Sequence, residues 1–239
     1  LSHETSINSY SWCPDGKRVA FLARDEKAKD KKKLEEKGFN QEIYEEEWRP
    51  VRAWIATRDD EKVEPRVLDL KGSASTVRWS PAGRQLALAL APTPSVDHAL
   101  MSRKVVIVDV DSGDVVGRLK NPGKLGDIVW SPNGDQLAIL SGEDQNDPSA
   151  GRLMIGAAKG GPVRDIVEGY EGDVRSMAWH NDERLAFIGH VGVESSFGQV
   201  MADGSRHRAS VAEGDAILRS ISLAREVTAA AFVADSPTH

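Results

Sequence analysis

Cysteine, long apolar runs and excess positive charge are all scarce in this sequence. Cys13 is the single cysteine among 239 residues, so an internal disulfide is excluded. No apolar run approaches the roughly 18 residues of a membrane-spanning helix, and residues 1–5 show neither the basic nor the apolar part of a leader. The formal net charge of −6 disfavours a nucleic-acid surface, which needs a local excess of lysine and arginine. We expect no membrane span and no nucleic-acid partner, in a protein that is cytoplasmic, or periplasmic if a leader was removed.

The sequence also lacks the short motifs of the common catalytic sites. It contains no G-x-S-x-G nucleophile elbow and no phosphate-binding P-loop or dinucleotide motif. Its six histidines are scattered, without the H-x-x-x-H or H-E-x-x-H spacing of a zinc-binding helix. We therefore expect no catalytic residue, no metal site and no cofactor in this chain.

A hairpin signature, Trp-x-Pro-x-Gly, returns along the chain. It begins at Trp12, Trp79 and Trp130, and a fourth copy at Trp179 has lost the proline and the glycine. Proline presets the first corner of a turn, and glycine takes the left-handed position that closes a bulged hairpin. The sequence therefore predicts turns at three pairs of residues: Pro14 and Gly16, Pro81 and Gly83, and Pro132 and Gly134.

Large and small apolar residues alternate after each copy of the signature. Ala20 lies between two large apolar residues, and the same pattern returns around Ala87, Ala138 and Ala186. A period of two indicates a β-strand, and apolar residues on both faces indicate a strand that is covered on both sides. Blades stacked around an axis supply that environment, and each alanine leaves room for a neighbouring tryptophan. The sequence therefore predicts an all-β fold, the β-propeller, in which the repeat tryptophans are buried.

Four blades and part of a fifth are recognisable. The predicted units cover residues 7–71, 73–120, 124–168 and 172–212, and the partial unit covers residues 216–239. Half a blade leaves an exposed strand edge, which native proteins avoid. Either residues 1–9 complete it, with one strand at most, or the chain belongs to a longer protein. We expect a single segment of a larger propeller with seven or eight blades.

An insertion at residues 25–48 interrupts the first unit. A charged helix is predicted over residues 25–37, with Gly38 as its C-cap. A short second helix, capped by Asn40, is predicted over residues 40–47, with Ile43 and Tyr44 docking it. A charge run of this kind is interpreted as a solvated face, and the alternative is a binding arm over one face of the propeller.

The Trp-x-Pro-Asp-Gly…Ala-Phe unit of residues 12–21 resembles the WD40-like repeat of periplasmic translocation-protein-B-type propellers. It also resembles the repeat in the propellers of prolyl oligopeptidase-family serine peptidases, such as acylaminoacyl peptidases and dipeptidyl aminopeptidases. Residues 30–54 resemble the helical insertion in the first blade of bacterial members. Residues 232–239 resemble a strand and turn late in their propellers. The resemblance covers nearly the whole chain, and these last two segments favour the peptidases.

The resemblance implies the non-catalytic N-terminal propeller portion of a serine peptidase. In that family an α/β-hydrolase domain after the propeller supplies the catalytic serine, aspartate and histidine, and nothing in this sequence matches it. The propeller would gate and position peptide substrates for that missing domain. The alternative is a free-standing protein-interaction propeller of the translocation-protein-B type with no peptidase role. Neither reading indicates an oligomeric state.

Glu45, Glu46 and Glu47 form the candidate substrate-binding site. A short helix with adjacent carboxylates can present two of them to one ammonium group through charge-assisted hydrogen bonds. With the tyrosine before them they resemble the Tyr-Glu-Glu-Glu run with which dipeptidyl peptidase propellers hold the amino group of a substrate. In those propellers the run leads into a Trp-Ser-Pro repeat, whereas here it leads into a third strand. The alternative is a local salt-bridge cluster with Arg49 and Arg52.

Overall fold

A computed structural model describes residues 3–43, 46–58, 64–212, 214, 216–224, 226 and 228–236 of the protein. The chain is 52% strand and 6% helix, and it divides into two compact units, Leu1–Val115 and Val116–His239. Within the described ranges, no helix has the length and apolar character needed to cross a membrane.

The first unit contains one four-stranded sheet and three strands of the next repeat. The first sheet is antiparallel, in the order β1 (Ile7–Trp12), β2 (Arg18–Arg24), β3 (Val51–Thr57) and β4 (Arg66–Val67). The second repeat continues with the antiparallel strands β5 (Ser73–Trp79), β6 (Gln85–Ala91) and β7 (Lys104–Asp109). In both repeats each strand pairs with the one before it in the chain, which is the order that the hairpin signature predicts.

The second unit continues the same pattern. It contains most of β8 (Val115–Lys120), followed by β9 (Leu125–Trp130), β10 (Gln136–Gly142), β11 (Gly151–Ala157) and β12 (Gly161–Asp165). Strand β12 pairs in parallel with β8. A further four-stranded antiparallel sheet consists of β13 (Asp173–Asn181), β14 (Arg184–Val191), β15 (Glu194–Met201) and β16 (Arg208–Ala212). Two antiparallel strands follow, β17 (Ile217–Leu223) and β18 (Ala230–Asp235).

The Trp-x-Pro-x-Gly copies close hairpins, as the sequence predicts. The Gly16 N–H donates to the carbonyl oxygen of Cys13 at 2.9 Å, and Gly16 has a φ of +69°. The same bond joins Gly83 to Ser80 and Gly134 to Ser131, each at 2.9 Å. Glycine is required there because a side chain is strained at such positive φ values.

The second strand of each of the first four repeats lies at the centre of the core. Strands β2, β6, β10 and β14 are buried along almost their whole length. Their alternating alanines are all buried, which confirms a strand covered on both faces: Ala20, Ala87, Ala138 and Ala186. Ala20 shares a buried cluster with Trp79, and Ala138 shares one with Trp179. Within each unit, one tryptophan therefore lies in the same buried cluster as the alanine of the repeat before it.

The repeat tryptophans have two environments. Trp79, Trp130 and Trp179 are only 6%, 7% and 8% exposed, whereas Trp12 is 50% exposed. The prediction that all four are buried is wrong for Trp12. Trp79 and Trp179 each share a buried cluster with the core alanine of the preceding repeat, and the described residues contain no repeat ahead of the one that contains Trp12.

The insertion in the first repeat is less helical than its composition suggests. Helix α1 (Lys29–Glu36) is shorter than the predicted helix over residues 25–37. It ends as expected, because Gly38 has a φ of +91° and its N–H donates to the Glu35 carbonyl at 2.9 Å. The second helix predicted over residues 40–47 is contradicted by the described residues, which are not helical and are all exposed. These described residues present no buried face, so they lack the packing that short helices need. Tyr44 and Glu45 lie outside the described residues.

A helical turn that the sequence analysis missed lies in the second repeat. Helix α2 (Val96–Met101) occupies the connection between β6 and β7, and the Ser95 hydroxyl accepts from the His98 N–H at its start. Its six residues contain none that is buried, so no apolar periodicity marks it. With this addition, the fold is a β-propeller with a helical insertion in its first blade.

Candidate functional site

Both helical insertions of the first unit leave their sheets at the same kind of connection. Helix α1 lies between the second and third strands of the first repeat, and α2 lies between the second and third strands of the second repeat. In an up-and-down sheet those connections share an edge with the starts of the first strands. That edge therefore carries both helical insertions of the unit. Binding groups concentrate on such connections, because a rigid scaffold holds them in place.

A cavity of about 280 Å³ lies at this edge, between the first and second repeats. Its wall comes from the start of β1, the end of β2, the start of β5 and the α2 connection. No carboxylate is among the residues that line it, which are Asn8, Ser9, Leu22, Arg24, Val51, Ser73, Ala74, Ser75, Ala91, Pro94, Ala99 and Arg103. The cavity is therefore cationic and rich in hydroxyl groups.

The cationic groups of the cavity differ in how they are held. Arg103 is half-buried and donates from Nη1 to the Ser75 hydroxyl at 3.2 Å. Burial lowers the pKa of Arg103, yet an arginine remains charged at neutral pH. The Arg24 guanidinium is exposed and has no acceptor within the described part of the chain. Two guanidinium groups beside serine hydroxyls suit a carbonyl or carboxylate oxygen.

A second hollow of about 350 Å³ lies nearby in the same unit and has a different character. Its arginine, Arg52, is already engaged: Nε donates to Asp25 at 3.0 Å and Nη1 donates to the Leu70 carbonyl at 2.7 Å. Trp48 and Pro50 add apolar wall on one side. Arg52 therefore holds the base of the insertion and is not available to a ligand.

The predicted acidic site is only partly described. Glu47 forms an ion pair with Lys31 of α1, with 2.8 Å between Nζ and Oε1. Glu46 is exposed and forms no ion pair with any described residue, and Glu45 lies outside the described residues. The partner of Glu47 is thus a lysine of the insertion, whereas the alternative salt-bridge cluster in the sequence analysis named Arg49 and Arg52.

Arg24 and Arg103 were missed by the sequence analysis. Arg24 is the last residue of β2, and Arg103 immediately precedes β7, so neither belongs to the hairpin signature or to a charge run. The one feature of the sequence that could have identified them is their position, since each arginine adjoins an insertion between the second and third strands of its repeat. Nothing in the spacing of the sequence brings those two places together.

Comparison with known proteins supports the fold. No family model matches the chain, and no curated protein matches it. Among solved structures, the β-propeller domain of the Trilobed protease from Pyrococcus furiosus has a TM-score of 0.62 at 14% identity, over 96% of this chain and 63% of that one. A prolyl endopeptidase structure has a TM-score of 0.66 at 14% identity, over 96% of this chain and 32% of that one.

A TolB-like structure from Agrobacterium tumefaciens has a TM-score of 0.49 at 12% identity, over 87% of this chain and 82% of that one. The chain thus spans less than two thirds of the two peptidase structures. At 14% identity the likeness to the two peptidase structures shows the architecture alone, which is that of a β-propeller.

Proposed function

We propose that this chain is the propeller portion of a serine peptidase of the prolyl oligopeptidase family. Its role is to admit and position peptides for an α/β-hydrolase domain that other residues of the parent protein supply. The observation that carries this proposal is the match over 96% of the chain to propellers from two peptidases. The insertion in the first blade, which resembles that of bacterial members, adds to it.

The cationic cavity gives the proposal a place for substrate. A peptide presents a carbonyl oxygen at every residue and a carboxylate at its C-terminus, and both accept hydrogen bonds from guanidinium groups. Arg24 and Arg103 stand on different repeats and open onto one cavity. Glu46 lies within the insertion of the first repeat and is exposed, so its carboxylate is available to the ammonium group of a peptide.

The proposal is tested in the parent protein with its hydrolase domain. Arg103→Gln should raise KM for peptide substrates about tenfold with little change in kcat, since a hydrogen bond to a charged group is worth about 1.5 kcal/mol. Glu46→Gln should raise KM for peptides with a free amino group and spare N-blocked ones. Arg175→Gln, an exposed arginine of β13, is the matched control.

A small chromogenic ester separates gating from chemistry. Replacing residues 27–37 with a short Gly/Ser linker should change kcat/KM for long peptides and leave ester hydrolysis unchanged. Equal effects on peptide and ester would contradict the gating role. A parent gene without G-x-S-x-G followed by aspartate and histidine would favour the free-standing interaction propeller instead.

A further inference from the structure

The cationic cavity and the second hollow of the first unit are adjacent. Neighbouring residues of the chain line the two spaces, the first of each pair the cavity and the second the hollow: Val51 and Pro50, Ser73 and Gly72, and Ala91 and Pro92. Pro94 lines both spaces. A single amino-acid residue bound at Pro94 can therefore place one group in each space.

The cavity presents hydrogen-bond donors without a matching acceptor. The Ser73 hydroxyl oxygen accepts from the Val51 N–H at 3.1 Å, and the Ser75 hydroxyl oxygen accepts from Arg103 at 3.2 Å. Each hydroxyl group keeps its own hydrogen to donate, and none of the described residues accepts from either of them. The guanidinium groups of Arg24 and Arg103 line the same cavity, and no carboxylate does. The cavity therefore suits an anionic group that accepts several hydrogen bonds at once.

The size of the cavity limits what it can hold. Its volume of about 280 Å³ is slightly below the range of roughly 300–1,000 Å³ that is usual for small-molecule sites. Buried apolar residues complete its lining, namely Leu22, Ala74 and Ala91. A carboxylate is a small terminal group with about four acceptor positions. It can therefore accept from the two guanidinium groups and the two serine hydroxyls together.

The second hollow offers a surface for an aromatic side chain. Trp48 is 46% exposed, and three prolines line the hollow with it, Pro50, Pro92 and Pro94. Proline has no N–H to donate, so this wall is poor in main-chain donors. Arg52 is paired with Asp25, and the exposed Asp69 and Lys71 add one charge of each sign. The hollow therefore favours an apolar group over an ion, and an indole stabilises a second aromatic ring packed against it.

We propose that the cavity and the hollow together bind the C-terminal residue of a peptide, with its carboxylate in the cavity and an aromatic side chain against Trp48. Carboxylate and side chain leave the same Cα in different directions, which matches two adjacent spaces of opposite character. A free amino acid fits less well, because its ammonium group would lie near two guanidinium groups in a cavity that no carboxylate lines.

This inference rests on the proposed function, since it takes the bound molecule to be a peptide. It adds which end of the peptide is held and which side chain is preferred there. Trp48 is then a specificity-determining residue of the first unit, whereas Arg24 and Arg103 recognise the carboxylate.

Binding to the full chain tests the inference without any catalytic step. The probe is N-acetyl-Ala-Ala-Phe with a free carboxylate, and calorimetry measures its affinity. The C-terminal amide of the same peptide should bind at least about tenfold more weakly, because hydrogen bonds to a charged group are the stronger kind. The same probe ending in alanine should bind roughly 2- to 10-fold more weakly, because it lacks the ring that packs on the indole. Free phenylalanine should also bind more weakly than the probe.

Variants separate the two halves of the site. Arg24→Gln should reduce the preference for the acid over the amide and keep the preference for phenylalanine over alanine. Trp48→Ala should do the reverse. Trp12→Ala removes another half-exposed tryptophan of the same unit, and Arg175→Gln removes an arginine outside it, so these matched controls should change neither preference. The Tm of each variant checks that it folds.

Two kinds of result overturn the inference. One is equal affinity for the acid and the amide, or no binding of either. The other is competition by inorganic phosphate with no effect of Trp48→Ala, since the cavity would then be an anion site alone. Equal affinity for acid and amide would leave the peptidase assignment intact. A parent gene without a hydrolase domain would overturn that assignment, while acid-selective binding of the peptide by this chain would still support the inference.

Discussion

At the scale of single residues, the repeat tryptophan contributes differently to the free energy of unfolding in different copies of the repeat. Trp130 is 7% exposed and Trp12 is 50% exposed. Trp130→Ala should lower the free energy of unfolding by about 3–5 kcal/mol, because it removes a large buried aromatic side chain and leaves a cavity. Trp12→Ala should cost less than about 1 kcal/mol. Urea denaturation of both variants measures the difference, and equal costs would contradict burial of the side chain as the source of its contribution to stability.

His207 couples the stability of the second unit to pH. Its ring lies 5.7 Å from the ring centres of both Tyr170 and Phe187. Burial lowers the pKa of His207, and the charge of Arg152 lowers it further. Because the folded pKa is below the unfolded value of about 6.5, the unfolded state binds a proton more readily. Stability is therefore complete above that pH and is lost as pH falls through the folded pKa.

A titration of Tm tests this coupling. His207→Phe keeps an aromatic ring in the cluster and removes the proton site, so its Tm should fall less than that of the wild type between pH 7.5 and pH 5. His98→Phe, the same substitution outside the cluster, serves as the matched control. If the His207 variant also follows the wild type, the ring does not titrate differently in the folded protein.

At the scale of elements, the insertion is held by charge and has little apolar contact. Helix α1 has no buried residue. Its ion pairs join Lys27 to Glu35 at 2.6 Å, Lys32 to Glu26 at 2.6 Å and Lys31 to Glu47 at 2.8 Å. Exposed pairs of this kind contribute about 0–1 kcal/mol each and weaken with salt. The helix is therefore a weakly held element on a strongly held sheet.

Limited proteolysis should detect that difference. Trypsin should cut within residues 27–37 before it cuts at Arg84 or Arg184, which belong to the hairpins of the repeats. Raising NaCl from about 0.05 M to about 1 M, where the Debye length is about 3 Å, should accelerate the first cut. Glu47→Gln should accelerate it already at low salt. First cleavage at Arg84 or Arg184 would show that the repeats are less stable than the insertion.

The helices also show where local sequence stops being sufficient. The signal at Gly38 identified the end of α1, because a left-handed C-cap is a property of a few adjacent residues. Residues 40–47 carried a similar local signal, yet the described residues of that segment are not helical. Helix α2 formed with no such signal beyond Ser95. Short helices depend on what they pack against, and a single sequence does not reveal that surface.

At the scale of the molecule, the repeat made the fold predictable. A turn with proline and glycine and a strand of alternating residues are both local, and their return along the chain implies stacked sheets. The cavity with Arg24 and Arg103 was not predictable in the same way. Each of the two arginines lies just outside the part of the sequence that returns in every repeat. Only the packing of two sheets brings both side chains to the same cavity.

The whole chain should not hydrolyse peptides or esters by itself. No nucleophile with an adjacent base is recognisable in its sequence, and a hydrolytic site needs both within hydrogen-bond reach. The purified chain, assayed with a chromogenic ester and a fluorogenic peptide, should give the background rate. Turnover that a serine-directed inhibitor abolishes would contradict this expectation.

The junction between the first two repeats contains Cys13, the single cysteine of the protein. Cys13 is buried, and its Sγ lies where a Cβ on Gly83 would approach within 2.8 Å. Burial also raises the pKa of the Cys13 thiol, so the sulfur is mostly protonated and slow to react. Alkylation of Cys13 therefore requires the junction between these repeats to open. An alkylating reagent adds one adduct, which mass spectrometry detects as a single mass increment. The rate of this reaction measures how often the first two repeats separate, without any engineered label.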